Sequence, residues 1–194
     1  GSIRPAGIQI DTLGINVSEN TKHKAVLLYD TEQSEVQLFK NVTNLIKRAK
    51  QTDKPDEFKA FCLTGMSRKE RLHAIVQSMD RYYFQYGGIQ LVVIDGIADL
   101  VRCANDEAES VAIIDELYRL AGIYKTCIIC VLHFVPNGLK LRGHLGSELQ
   151  RKAAAILSIE KDEDPALSVV KALKVRDGSP LDVPLMLFAW DKAA

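Results

Sequence analysis

The sequence predicts an α/β protein: a mostly parallel sheet with helices on both faces, followed by an antiparallel C-terminal meander. Three observations predict it. Short apolar runs alternate with amphipathic ones at the spacing of strand–helix units. The run Ile89–Ile94 shows no polar alternation, as expected of a strand whose two faces are both covered. After about Ala154 the helical spacing stops, and three short strands with turn residues follow.

The elements read in order. Ala25 to Tyr29 is a short strand, and Ser34 to about Lys50 carries Val36, Phe39, Val42, Leu45 and Ile46 at helical spacing. Phe58 to Leu63 is a second strand. Ser67-Arg-Lys-Glu70 is a capping box, opening a helix with Leu72, Ile75, Val76 and Met79 on one face and ending at Gly87-Gly88. A helix from about Asp106 to Tyr124 precedes an apolar strand from Cys127 to His133. The meander strands are Ile156–Glu160, Ser168–Val175 and Leu185–Trp190, with turns at 162–165 and 177–180, and are expected at the edge of the sheet. Residues 1–24 have no clear period and read as irregular. The rest, 25–194, reads as one core.

Composition narrows the function classes. A chain of 194 residues with 47% hydrophobic and 26% charged residues is that of an ordinary globular domain. Lys plus Arg equals Asp plus Glu, at 25 each, so bulk charge pulls toward neither nucleic acid nor membrane. No apolar run approaches the roughly 18 residues that a membrane helix needs. The opening Gly1-Ser2 has the look of a cleaved-tag scar, so an excised piece of a longer protein is expected. Cys127 and Cys130 form a C-x-x-C. Three residues apart on a strand they face opposite ways, so they are expected to be buried, reduced core cysteines rather than metal ligands. A cytoplasmic location follows from reduced cysteines.

Five features carry candidate chemistry. Leu91-Val-Val-Ile-Asp95-Gly96 ends a strand in a carboxylate at the edge where α/β sheets bind ligands; Asp95 there can hold Mg²⁺ through water, or simply begin an Asp-Gly turn. Asp30-Thr31-Glu32 follows the first strand, and such an acid can polarise an attacking water; equally, Asp30, Thr31 and Ser34 can cap the next helix. His133 closes the Cys127 strand, as a phosphate-sensing or water-holding imidazole or as a hydrogen-bonded structural residue. The Gly-rich run Phe134–Gly146 carries Lys140, Arg142 and His144, which suits a nucleic-acid backbone as well as a solvated loop. Lys174 and Arg176 alternate on one strand face, either as a charge-stabilising finger or as edge protection.

Taken in order along the chain, these features resemble the RecA-like ATPases, most closely the RepA and DnaB type replicative helicases and related ATPases of mobile elements. The likeness covers about Ala25 to Trp190. It implies that Glu32 is the catalytic carboxylate, Asp95 the Walker B acid and His133 the sensor. It further implies a DNA-facing loop at about 134–146, and a Lys174–Arg176 pair that serves the active site of an adjacent subunit. ATP and Mg²⁺ as cofactors, single-stranded DNA as partner and a homo-oligomeric ring follow as expectations.

The sequence departs from the family at one point. No G-x-x-x-x-G-K-[ST] loop occurs in these 194 residues. Gly122-Ile-Tyr-Lys125-Thr126 lies after a helix and before a strand, whereas a phosphate-binding loop lies after a strand and opens a helix. The chain as given is therefore not expected to hydrolyse ATP. Two other readings remain: a non-catalytic interaction module of RecA-like shape, and a metal-dependent phosphodiesterase built on Asp30, Glu32, Asp95 and Asp99.

Overall fold

A computed structural model describes residues 2–5, 7, 9, 12, 15, 17–133 and 143–189. The chain is α/β, with a four-stranded parallel sheet flanked by helices and a separate three-stranded antiparallel sheet near the C-terminus. The parallel sheet contains β1 (Ala25–Asp30), β2 (Phe58–Cys62), β3 (Ile89–Asp95) and β4 (Cys127–Val131), in the order β2-β1-β3-β4. Helices α1 (Glu35–Arg48), α2 (Arg68–Tyr86) and α3 (Glu107–Tyr124) connect them.

The alternation of β1 explains why this sheet is covered twice. Val26 and Leu28 face α1 and join Ile46, Ala49 and Phe58 in one core cluster, to which Ile3 also belongs. Leu27 and Tyr29 point the other way and are fully buried. There the Tyr29 hydroxyl meets Ser78 of α2 at 2.7 Å. Burial pushes the Tyr29 phenol far above its ordinary range, partly offset by that hydrogen bond.

The helices begin where the sequence says they should. Ser67 Oγ accepts from the Glu70 amide at 3.4 Å while Glu70 Oε2 accepts from the Ser67 amide at 2.8 Å, the reciprocal pair of a capping box. The Ser67 hydroxyl, followed by its amide, holds the Glu70 carboxyl below the usual range. Ser34 caps α1 and Asp106 caps α3.

Two expectations need correction. The strand Cys127–Val131 is not buried: it alternates between exposed and half-buried positions, with Cys127 exposed and Ile129 46% exposed. The physical reason is position. Among the described residues β4 pairs only with β3, which makes it an edge strand, and no helix closes the face that carries Cys127, Ile129 and Val131. The opposed orientation of the two cysteines does hold, since Cys127 is exposed and Cys130 half-buried. The meander, second, does not extend the parallel sheet. β5 (Ala155–Lys161), β6 (Leu167–Val175) and β7 (Met186–Ala189) pair among themselves as a sheet of their own. Short turns let consecutive antiparallel strands satisfy each other locally.

The chain divides into two compact units, Gly1–Ile10 with Val17–Glu148, and Asp11–Asn16 with Leu149–Ala194. The division falls within a helix the sequence reading missed, α4 (Gly143–Lys152). In the second unit, Ser158 and Lys171 both bond Glu160, at 2.8 and 3.2 Å, and hold its carboxyl below the ordinary range. No helix among the described residues is long and apolar enough to cross a membrane.

Two measurements check this description. Ser67→Ala is expected to cost about 1 kcal/mol in urea unfolding, the usual value of a lost N-cap. Ellman's reagent is expected to titrate Cys103 and Cys127 rapidly, since both are exposed. Cys130 should lag well behind, because burial pushes its thiol up to about 12 and the thiolate is the reactive form.

Candidate functional site

Parallel pairing puts the carboxyl ends of β1, β3 and β4 side by side. Asp30 lies directly opposite Asp95, and Asp95 opposite Val131, two residues before His133. The ends of three strands thus deliver Asp30, Glu32, Asp95 and His133 to one edge of the sheet.

The turn after β1 is built by its own side chains. Asp30 is only 2% exposed, and its Oδ1 accepts from the amides of Glu32 and Gln33 at 2.9 and 2.7 Å. Those two bonds stabilise a carboxylate that would otherwise be costly to bury. Thr31 turns the other way. Its amide donates to the Asp95 carbonyl at 3.1 Å, and its hydroxyl reaches the carbonyls of Asp95 and Gly96 at 3.0 and 2.9 Å. The turn after β1 is therefore fastened to the turn after β3.

Gly96 is required by that fastening. Its φ is +88°, and an added Cβ would lie 2.3 Å from Thr31 Oγ1 and 2.6 Å from Glu32 Cγ. Both the backbone conformation and the close approach exclude a side chain. The Asp-Gly pair is a turn and a site edge at once, so the two readings of Asp95-Gly96 are not in competition. The same holds at the first strand: Ser34 does the capping, while Asp30 and Thr31 shape the turn that presents Glu32.

Glu32 and His133 meet across the edge, with Nε2 and Oε2 3.2 Å apart, the imidazole donating when Nε2 carries the proton. Their side chains are 31% and 74% exposed, so the pair faces solvent and is open to a ligand. Asp95 is half-buried. Desolvation first, then the neighbouring Asp30 and Glu32 carboxylates, push its carboxyl above the ordinary range, while His133 pulls in the opposite direction.

The remaining sequence candidates fall elsewhere. Lys140 and Arg142 lie outside the described residues. His144 is exposed in the first turn of α4. Gly143 opens that helix with φ +64°, and a Cβ there would lie 2.3 Å from the Ala104 carbonyl oxygen. Within the second unit, Lys174 Nζ donates to the Gln150 and Arg151 carbonyls at 2.5 and 3.4 Å, and Arg176 Nη2 to the Lys152 carbonyl at 2.8 Å. Both cations therefore serve the carboxyl end of α4, where unpaired carbonyls and the helix dipole favour positive charge.

Sequence reasoning missed Arg71 altogether and read Thr31 only as a possible cap, not as the link to the turn after β3. Arg71 donates from Nε to the Leu63 and Met66 carbonyls at 3.1 and 3.0 Å, and from Nη2 to the Thr64 carbonyl at 3.3 Å. Its Nη1 reaches the Asp99 carbonyl at 3.2 Å and the Asp99 carboxylate at 3.5 Å. It ties the turn after β2 to the 3-10 turn Ile97–Leu100. Asp99 is thereby engaged in structure, and among the described residues no three His, Cys, Asp or Glu side chains are placed to share one metal ion. Neither residue carries a motif; only the register of the strands gives them meaning.

Compared with known proteins, the chain matches no family model, and no curated protein matches it closely enough to count as a relative.

Two substitutions test the geometry. Gly96→Ala is expected to cost about 1–3 kcal/mol in urea unfolding, the range for a strained backbone position. The folded chain holds the Asp95 proton more tightly than the unfolded chain does. Ionising Asp95 therefore removes stability as pH rises from the ordinary carboxylate range through its raised folded value. Asp95→Asn should raise the melting temperature at pH 7, and the gain should fade below about pH 4, where the unfolded carboxylate also protonates.

Proposed function

We propose that the chain is part of the motor core of a DNA-dependent ATPase, of the helicase type found in plasmids and mobile elements. The observation that carries this reading is the assembly of Glu32, Asp95 and His133 on adjacent parallel strand ends, with Glu32 and His133 in direct contact at 3.2 Å. In that role Glu32 takes a proton from an attacking water, and His133 holds the carboxylate in place and senses the anion beyond it. Asp95, half-buried and with few partners of its own, fits a magnesium ion held through water, since Mg²⁺ keeps much of its hydration shell. The ion would neutralise charge on the phosphates.

The residues present do not fit a nucleotide by themselves. The phosphate grip of such sites comes from loop amides and a lysine, and no Gly-Lys-Ser or Gly-Lys-Thr sequence occurs in the chain. ATP binding on this reading needs a loop from further sequence. A second reading has its own support. Lys174 and Arg176 both serve the end of α4, which favours a non-catalytic module that keeps these cations for structure. DNA contact on either reading would run through 134–146, together with the exposed His144.

Turnover decides between them. The polypeptide from the complete gene is expected to hydrolyse ATP faster with single-stranded DNA, to lose activity in Asp95→Asn and to fall about 10²–10⁴-fold in Glu32→Gln. A full-length protein with no turnover would make the interaction module the correct reading. Mixing inactive Arg176→Ala and Glu32→Gln proteins should restore part of the activity, because some mixed interfaces then pair an intact Glu32 with an intact Arg176. If mixed oligomers form and none returns, Arg176 acts only on α4.

A further inference from the structure

The β2 side of the parallel sheet carries a feature that the strand-end site does not use. Among the described residues β2 pairs only with β1, so its outer edge is the margin of the sheet they form. The bonds from the Val26 amide to the Glu57 carbonyl and from the Leu63 amide to the Asp30 carbonyl fix which residues face β1. In a parallel ladder those residues alternate. Odd-numbered residues from Glu57 to Leu63 face β1, and Phe58, Ala60 and Cys62 direct their amides and carbonyls outward. The outward groups of Phe58 are taken, by the Pro55 carbonyl at 3.0 Å and by Lys54 Nζ at 2.7 Å. Among the described residues, no hydrogen bond reaches those of Ala60 and Cys62.

A groove of about 440 Å³ opens beside this stretch, between the sheet and α2. Tyr29 and Phe61, stacked at 5.2 Å, line it on the sheet side, and Tyr82 tilts against Phe61 at 6.0 Å. Small side chains, Ala74 and Ser78, leave the space on the helix side. Two of the hydroxyls within it are already paired: Tyr29 bonds Ser78 at 2.7 Å, and Ser78 donates to the Ala74 carbonyl at 2.5 Å. Charge is one-sided. Arg81 is the one charged residue among those lining the groove, and the Lys59 ammonium lies 5.8 Å from the centre of the Tyr82 ring; no acid lines it.

We propose that this groove and the open β2 edge together form a docking site for an extended peptide of a partner protein, one with a bulky apolar residue two positions from an acidic one, since residues i and i+2 of a strand share a face. The peptide main chain would continue the sheet at Ala60 and Cys62. The apolar side chain would enter between Phe61 and Ala74, and the carboxylate would meet Arg81. This is recognition by strand addition, in which main-chain bonds give affinity and the pocket and charge give specificity. A second copy of this chain is the poorer occupant. Edge-to-edge pairing of two β2 strands would use the two open residues and leave the aromatic groove empty. The proposal does not depend on the ATPase reading, because none of Glu32, Asp95 and His133 lines the groove.

The test is selection of random heptapeptides displayed on phage against the immobilised chain, followed by fluorescence-anisotropy titration of the enriched peptides. Enriched sequences are expected to share an apolar residue two positions from Asp or Glu. Arg81→Glu should weaken their binding at least tenfold. Cys62→Pro removes one outward amide and leaves the bonds to β1 in place, so it should also weaken binding tenfold, while Cys62→Ala should not. Urea unfolding of each variant separates lost binding from lost folding, and Arg81→Glu, at an exposed helix position, keeps the test decisive if Cys62→Pro does not fold. No enrichment, enrichment without the apolar–acidic pattern, or binding unchanged in folded Arg81→Glu overturns the proposal. So does a concentration-dependent dimer on size-exclusion chromatography that Arg81→Glu dissolves, because it makes a second copy the occupant.

Discussion

The pairing of β1 with β3 is the constraint on which the rest of the first unit depends. It sets Asp30 opposite Asp95, and Thr31 then locks that register by bonding the carbonyls of Asp95 and Gly96. A slip of one residue would turn Val26 and Leu28 away from α1 and Leu27 and Tyr29 away from α2. It would also separate the turn that holds Glu32 from the turn that needs Gly96. Core packing and site geometry are therefore fixed by one and the same alignment.

The two acids brought together are treated differently by their surroundings. Asp30 is buried more deeply than Asp95, yet two turn amides bond its carboxylate. Among the described residues no amide bonds the Asp95 carboxylate, and its burial first, then the two neighbouring carboxylates, hold its proton more tightly. The difference comes from which amides the turn leaves free, not from residue type.

The cations Lys174 and Arg176 show how one side chain can satisfy two arguments. Their donors lie within 2.8 Å of carbonyls at the end of α4, a placement that needs no active site to explain it. The dipole of the helix and its unpaired carbonyls attract positive charge in the same way that a phosphoryl group would. The β4 edge poses the reverse case. Its apolar residues Ile129 and Val131 are exposed although their chemistry suits a core, because among the described residues β4 has a neighbour on one side alone.

The sequence by itself determined the order and type of most elements in the first unit. Alternating apolar runs, the Ser67–Glu70 capping box and the Asp95-Gly96 turn all act within a few residues, and local physics is what a sequence displays. It also showed Asp30, Glu32, Asp95 and His133 as strand-end residues, since each closely follows an apolar run. Tertiary structure decided what local pattern could not. Helix α4 begins at a glycine whose left-handed φ and contact with Ala104 have no periodic signal. The meander became a sheet of its own because antiparallel neighbours pair with each other first. Cys127 came to the surface because burial of a strand depends on what lies beside it, and that neighbour is chosen by chain segments far away in sequence. The roles of Thr31 and Arg71 arose the same way: their partners, Asp95, Gly96 and Asp99, stand 28 to 65 residues further along and meet them only once the strands are in register.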